Sequence, residues 1–390
     1  MQFTVDRNDV TSILADLVRI DSTNPLCTDG GAGEEEIAAY VRKELDGLGL
    51  EVATYEIEPG RVNVVGKLKG RGNGRSLLLN AHTDTVGVEG MREPFSGRID
   101  RGKLYGRGAY DTKGGLAAMI AAAKSIVDAE LVPGGDLFVA AVADEEYTSI
   151  GTIDLLENVK TDAAIVLEPT DLALCLAHRG IIWYEVETIG KAAHGSRYDV
   201  GIDANIRMGR FLARLDDLER SLRARTPHPL VGPPSLNAGL LRGGTELSIY
   251  AARCVLQMER RIVPGETEPQ TTGELQAILD ELATADPSFR STLKTLLQRS
   301  PFQVAADAEI VRSLEQAAAR RLGQPPKQIG QPFWTDAGLL AEAGIETVLI
   351  GPIGQGLHSP EEWVEIQSVV DLAHILADTV TRYCSEGETD

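Results

Sequence analysis

The run Leu77-Leu78-Leu79-Asn80-Ala81-His82-Thr83-Asp84 decides how this chain is read. So continuous an apolar stretch suits a strand buried on both faces, and it stops abruptly at a histidine and an aspartate. Three further runs repeat the arrangement. Residues 137–143 end at Asp144-Glu145-Glu146, residues 163–167 end at Glu168, and residues 347–351 lead through a glycine-rich turn to His358. Around them lie segments with helical spacing of apolar residues, at 8–20, 34–46 and the alanine-rich 116–127. Buried strands alternating with helices predict an α/β sheet with helices on both faces. Ligands of such open sheets bind at the carboxyl ends of the strands, so residues from His82 to His358 are expected on one rim.

The middle of the chain differs. From about 181 to 261 the strands alternate in polarity, as in Tyr184-Glu185-Val186-Glu187-Thr188, around an amphipathic helix at about 204–218, and a second helix follows near 273–283. This predicts an α+β insertion, with the α/β pattern resuming after about Pro301. Gly70, Gly72 and Gly74 lie between two strands and predict a hairpin turn rather than a dinucleotide loop.

The 390 residues carry 38 Lys plus Arg against 58 Asp plus Glu, a formal net charge of -20. A field of that sign repels nucleic acid and anionic membranes, so neither is expected as the main partner; a small anionic substrate, governed by local charges, stays open. Cys27, Cys175, Cys254 and Cys384 form no C-x-x-C pair, which fits ordinary thiols in a reducing compartment better than a disulfide framework or a zinc knuckle. Residues 1–9 already carry Asp6, Arg7 and Asp9 and no apolar leader core, and no stretch approaches 18 apolar residues. A soluble, cytoplasmic protein is expected.

Each strand-end residue alone suits a turn or a cap, and Asp111, just before the alanine-rich helix, suits an N-cap. Together they suit metal. His82, Asp111, Glu146, Glu168 and His358 make five ligands; with Asp111 bridging, each of two zinc ions takes two terminal ligands, a share of Asp111 and a share of a water. Paired metals of this kind lie about 3.5–4 Å apart and bring the pKa of the shared water to roughly 7. Glu145 remains over. Neighbours in extended backbone point oppositely, so one of Glu145 and Glu146 can bind metal while the other acts as general base. Asp84, two residues beyond His82, can accept the other imidazole N–H and orient the ring.

His82-Thr83-Asp84-Thr85-Val86, Gly106-Arg107-Gly108-x-x-Asp111-x-Lys113-Gly114-Gly115, Asp144-Glu145-Glu146, Glu168-Pro169-Thr170 and His358, in that order, resemble the acetylornithine deacetylase / succinyl-diaminopimelate desuccinylase family of dinuclear zinc amidohydrolases and exopeptidases. The resemblance runs from the first helix to about Arg382. It implies a zinc-peptidase-like three-layer α/β/α catalytic domain in two parts, 1–178 and 300–390, interrupted by an α+β lid and dimerisation domain at 179–299, and a homodimer. It further implies two zinc ions, with cobalt as a substitute: Asp111, Glu146 and His358 hold one, Asp111, His82 and Glu168 the other, with Glu145 as base. His194, in Ala193-His194-Gly195-Ser196, matches a lid histidine that stabilises the oxyanion. Arg261 matches an arginine that pairs with the substrate carboxylate, although it also suits a solvated surface. Where relatives commonly carry an Asn and then a Pro, this chain has Ser248 and Ala251, which separates it from any one substrate.

The expected activity is hydrolysis of a small N-acyl amino acid by attack of the metal-bridging water. The alternative with the same chemistry is an exopeptidase, either a dipeptidase or a carboxypeptidase. A more distant one is a non-enzymatic metal-binding dimer. No G-x-S-x-G elbow is present, His358-Ser359-Pro360-Glu361-Glu362 lacks the H-x-x-E-H pattern, and His178, His228 and His374 read as structural or surface residues. Asp336, beside Trp334, is a further candidate for the site.

Overall fold

Four apolar runs lie side by side and point the same way. Leu77–His82 is flanked in parallel by Leu137–Val142 and Ala163–Val166, and Glu346–Leu349 adds in parallel to the latter. Every residue of Leu77–His82 and of Ala163–Val166 is buried, as a strand covered on both faces requires. The register pairs His82 with Val142, and Val166 with both Asn80 and Leu349, so the carboxyl ends are level. Arg61–Leu68 and then Glu51–Glu58 extend the sheet antiparallel on one side, and Leu174–His178 borders Glu346–Leu349 on the other.

The structure is a computed structural model and describes residues 3–385; Met1, Gln2 and 386–390, which include the start of the leader reading and the end of the expected second catalytic part, lie outside it. Helices Arg7–Arg19, Lys113–Asp128, Glu309–Leu322 and Ile366–Tyr383 pack on one another, and a second set, Glu35–Gly47, Ile150–Asn158 and Ala337–Glu342, packs against the sheet. The result is the expected sheet between two helical layers.

The hairpin expected at Gly70–Gly74 is not formed. Strand Leu137–Val142 lies between Arg61–Leu68 and Leu77–His82, so the glycines cross over its entry instead. The crossing is tight: Arg71 donates its backbone N–H to the carbonyl of Pro133, and a Cβ on Gly70 would sit 2.2 Å from the carbonyl oxygen of Gly135. Glycine here serves close approach of two backbones rather than a reversal.

The described residues separate into two compact units: those up to 176, 304–329 and those from 335 onward form one, residues 177–303 and 330–334 the other. The first also holds a small antiparallel sheet in the order Gly354–Gln355, Trp363–Glu365, Lys103–Tyr105, Arg98–Asp100. It seats the loop after Tyr105 beside the loop before Trp363. The second unit is an antiparallel sheet in the order Ser235–Gly243, Arg253–Ile262, Gly180–Ile189, Arg290–Arg299. Helices Ala204–Arg223 and Glu268–Ala285 cover it, and Tyr184, Met208, Phe211, Leu256 and Leu275 fill its core.

Gly351 ties the last parallel strand to the rim, because a Cβ there would lie 1.9 Å from the carbonyl oxygen of Glu168. Gly351→Ala must displace one backbone and is expected to cost about 1–3 kcal/mol in urea unfolding. Gly47→Ala, with nothing within 4 Å of the added carbon, is the control and should leave the midpoint unchanged or higher.

Candidate metal centre

The rim of the parallel strands gathers the five expected ligands. His82 ends its strand with its ring buried; Nε2 lies 3.2 Å from Oδ1 of Asp111 and 3.9 Å from Oε1 of Glu168. His358, half exposed on a left-handed turn (φ 52°), places Nε2 3.4 Å from Oδ2 of Asp111 and 3.1 Å from Oε2 of Glu146. Asp111 thus turns one oxygen to each imidazole. Two groups of donor atoms lie within 4.8 Å of one another, His82 with Asp111 and Glu146, and His82 with Glu145 and Glu168.

Asp111 does not cap the helix. Lys113–Asp128 has Thr112 at its N-cap, which leaves the Asp111 carboxylate free for the histidines. What holds its loop is Glu362, a residue that the sequence pattern did not single out. The buried Glu362 carboxylate accepts the backbone N–H groups of Tyr110 and Asp111 on one oxygen, at 2.8 and 3.0 Å. On the other it accepts Gly108 N–H at 3.0 Å and Arg107 Nη1 at 2.7 Å. Hydrogen bonds to a charged group contribute about 1.5–3 kcal/mol each when buried, so this loop has little freedom. The available signal was an acid four residues after His358 at the entry to an apolar strand.

Glu145 and Glu146 sit in a turn, not in extended backbone, so strand alternation does not separate them. Asp144 is left-handed (φ 68°), and its carboxylate accepts both the N–H and the hydroxyl of Thr148, which supports that conformation locally. The two oxygens of Asp84 accept the N–H groups of Glu145 and Glu146, each at 3.1 Å. Nδ1 of His82 lies 2.9 Å from the Asp84 carbonyl oxygen and 3.5 Å from its carboxylate, so the carbonyl is the nearer orienting acceptor. Asp336 is buried and accepts from Thr152 Oγ1 at 2.6 Å; its charge acts on Glu145 and Glu168, and burial pushes its carboxyl up to about 6.

Burial raises the proton affinity of Glu145 and Glu168 well above that of ordinary carboxyls, and neighbouring carboxylates add to it. Glu146 is raised by burial and by Asp111. Asp111 itself stays below the usual range, because its hydrogen bonds to His358 and His82 outweigh burial. His358 is lifted to about 10 by Asp111 and Glu146. For His82 burial works against the charge, yet Asp111 and Asp84 raise it well above normal. Glu146 Oε1 is buried with no hydrogen-bond partner among the described residues. Imidazole nitrogens facing carboxylate oxygens, with an unpartnered buried oxygen among them, are a donor set that fits divalent cations.

The other expected site residues belong to the second unit. His194 lies in a turn bridged to Ile249, is exposed, and has Nδ1 2.8 Å from Ser196 Oγ. Ser248 accepts Gly195 N–H through its carbonyl and Tyr250 donates its backbone N–H to the Ala193 carbonyl, so residues 248–250 support the histidine turn. Arg261, partly buried, pairs with Glu259 at 2.6 Å; the adjacent Arg260 points inward to Glu266. Trp334 donates to the Ser300 carbonyl, and His178 packs on Phe302 and Trp334.

Residues 78–382 match the model of Peptidase family M20/M25/M40. The chain is 32% identical to an acetylornithine deacetylase of Myxococcus xanthus, over 95% of this chain and 96% of the other. It is 29% identical to N-formyl-4-amino-5-aminomethyl-2-methylpyrimidine deformylase of Bacillus subtilis (strain 168), over 90% of each. In fold it is similar to a dinuclear metal binding peptidase of the M20 family from Bacillus subtilis, with a TM-score of 0.74 at 16% identity, over 96% of this chain and 97% of that one.

The raised carboxyls set a pH dependence. Glu145, Glu146 and Glu168 bind protons more tightly folded than at the ordinary 4.5, so the folded state holds more protons and loses stability as pH rises above that value. The raised histidines act in the same direction: their contribution is present below the ordinary 6.5 and fades as pH approaches the folded value, about 10 for His358. The depressed Asp84 and Asp111 contribute fully above 3.8 and add no slope here. Metal competes with these protons. The melting temperature of chelator-treated protein should therefore fall from pH 5.5 to 8, while the rise on adding Zn or Co grows over the same interval. Equal rises at both pH values would contradict this electrostatic picture.

Proposed function

The chain belongs to Peptidase family M20/M25/M40 and is a metal-dependent hydrolase, and from that premise we propose that it cleaves the amide bond of a small N-acyl amino acid. The observation that carries the proposal is Asp111, whose two oxygens face different imidazoles and divide the ligands into two sets. His82 and Glu168 complete one set, His358 and Glu146 the other. The similar acetylornithine deacetylase supports that substrate class, and the similar deformylase, which acts on an N-formyl aminopyrimidine, supports acyl-amide hydrolysis in general.

Two zinc ions, or cobalt in their stead, would supply Lewis acidity and an attacking water with a pKa near about 7. The remaining work falls to the chain. Glu145 takes the proton of the attacking water and returns it to the leaving amine; its burial among carboxylates gives it the proton affinity for both halves of that transfer. The carbonyl and carboxylate of Asp84 orient His82 and hold the turn under Glu145. His194 is assigned the developing oxyanion, supported by an exposed imidazole whose Nδ1 is already engaged by Ser196, leaving Nε2 for the substrate. Arg261 is assigned the substrate carboxylate, for which Glu259 is the internal stand-in.

The inserted unit is proposed as lid and dimerisation domain. Its outer strand Ser235–Gly243 exposes Leu240 and Leu241, and Ile206 is exposed on helix Ala204–Arg223. No helix among the described residues is long and apolar enough to cross a membrane. No disulfide joins the cysteines among the described residues, which supports a reducing, cytoplasmic setting.

Glu145→Gln should keep two metals per chain by elemental analysis and lose about 10²–10⁴-fold in kcat; normal turnover would remove Glu145 from the mechanism. A panel of N-acetyl, N-succinyl and N-formyl amino acids beside dipeptides, each with Zn and with Co, tests the substrate class. Turnover of the acyl amino acids is expected. Turnover of dipeptides alone would make the protein an exopeptidase, and no turnover at full metal loading would sink the amide-hydrolase reading.

A further inference from the structure

The turn carrying Glu145 and Glu146 hangs from two buried carboxylates, and a residue far upstream grips both. Asn24, fully buried, donates one amide hydrogen of Nδ2 to Oδ2 of Asp84 at 2.8 Å and the other to Oδ1 of Asp144 at 2.9 Å. A carboxamide has two such donors and both are used. Its own Oδ1 accepts the N–H of Leu26 at 2.9 Å, closing an Asx turn that fixes the side chain. Its backbone N–H bonds to the Thr85 carbonyl, next to Asp84. The Cys27 thiol, three residues on, reaches the Glu146 carbonyl at 3.3 Å.

Asp144 has a second grip. Arg61 donates Nη2 to its Oδ1 at 2.6 Å while binding both oxygens of Glu34 at 2.7 Å, all three side chains being buried. This matters for charge. Asp84 and Asp144 both accept from one nitrogen of Asn24, so two buried anions stand close together, and buried charges left without partners are costly. The neutral amide joins them without adding charge, and Arg61 offsets Asp144. Each oxygen of Asp84 then accepts one glutamate N–H, so the orientation of the Asp84 carboxylate sets the orientation of the peptide planes that lead into the base and into a ligand.

We propose that Asn24 is a positioning residue: by cross-linking Asp84 to Asp144 it fixes the Glu145–Glu146 turn, aiming one carboxylate at the attacking water and the other at the metal. It touches neither substrate nor metal. The inference rests on the proposed hydrolase reading of the same rim for its catalytic consequence, but the clamp itself is a property of the folded chain.

The test compares wild type, Asn24→Ala, Asn24→Asp and, as control, Asn158→Ala at the exposed last residue of helix Ile150–Asn158. Hydrogen exchange of chelator-treated protein comes first. The clamp predicts at least tenfold faster exchange in fragments covering 143–148 of Asn24→Ala, with 77–82 and 137–142 unchanged; unchanged exchange at 143–148 overturns it, and uniform acceleration shows a general loss of stability instead and overturns it equally. Cobalt loading comes second. Asn24→Ala should still take up two ions per chain, with an altered visible absorption spectrum and one of the two affinities weakened at least tenfold, and Asn24→Asp, which sets a third carboxylate against two, should be worse. A spectrum and affinities identical to wild type overturn the positioning role. With a hydrolysed substrate in hand, kcat per metal-loaded site should fall at least tenfold with KM within twofold, whereas a purely structural residue would lower the folded fraction and leave kcat per loaded site intact. Failure of wild type to bind cobalt or hydrolyse any amide would sink the function reading, and the exchange result would still decide the clamp.

Discussion

Mutual repulsion among buried carboxylates is the constraint on which the rest of this molecule depends. Asp111 and Glu168, both buried, and Glu145 and Glu146, partly buried, share one rim with the imidazoles of His82 and His358. Such a cluster is unfavourable alone: the three glutamates hold protons above their usual range while Asp111 stays below its own, and both histidines hold theirs above the ordinary imidazole range. Divalent cations relieve both conditions at once, by replacing protons on the acids and on the imidazoles. Binding energy for metal is in this sense stored in the apolar folding of the sheet, which forces the charges together.

The cluster survives because none of its members is left to orient itself. Two carboxylates that bind nothing but backbone and neighbouring side chains do that work. Glu362 gathers three backbone N–H groups and Arg107, fixing the loop of Asp111. Asp84 gathers the N–H groups of Glu145 and Glu146, together with Asn24. Each hub is buried, and each converts a flexible loop into a rigid extension of the sheet. The small sheet containing Lys103–Tyr105 and Trp363–Glu365 is what brings Glu362 within reach of the Asp111 loop.

Much of this was legible beforehand, for a physical reason. A strand buried on both faces must be apolar throughout, so its end is visible wherever a charged residue interrupts it, and Leu77–His82 and Ala163–Val166 show their ends in that way. The parallel order of four such strands then makes the rim a consequence of topology. Strand neighbours were less legible. The glycines at 70–74 read as a hairpin because the flanking strands are consecutive, yet Leu137–Val142 inserts between them, a pairing across long sequence separation that no local pattern announces. Glu362 and Asn24 escaped for a related reason: their partners are 251 and 120 residues away, and each alone looks like an ordinary loop residue.

The sequence by itself indicated candidate metal ligands, parallel strands whose carboxyl ends lead to several of them, and an antiparallel α+β segment in the middle of the chain, because burial and ligand chemistry leave marks in residue type and period. Only the tertiary structure decided which oxygen of Asp111 faces which histidine, that Thr112 rather than Asp111 stands at the helix N-cap, and that the glutamate pair sits in a turn entered through a left-handed Asp144 rather than in extended backbone. Those outcomes depend on distances of a few ångströms between segments remote in the chain. They are set by hydrogen bonds whose two ends carry no common pattern.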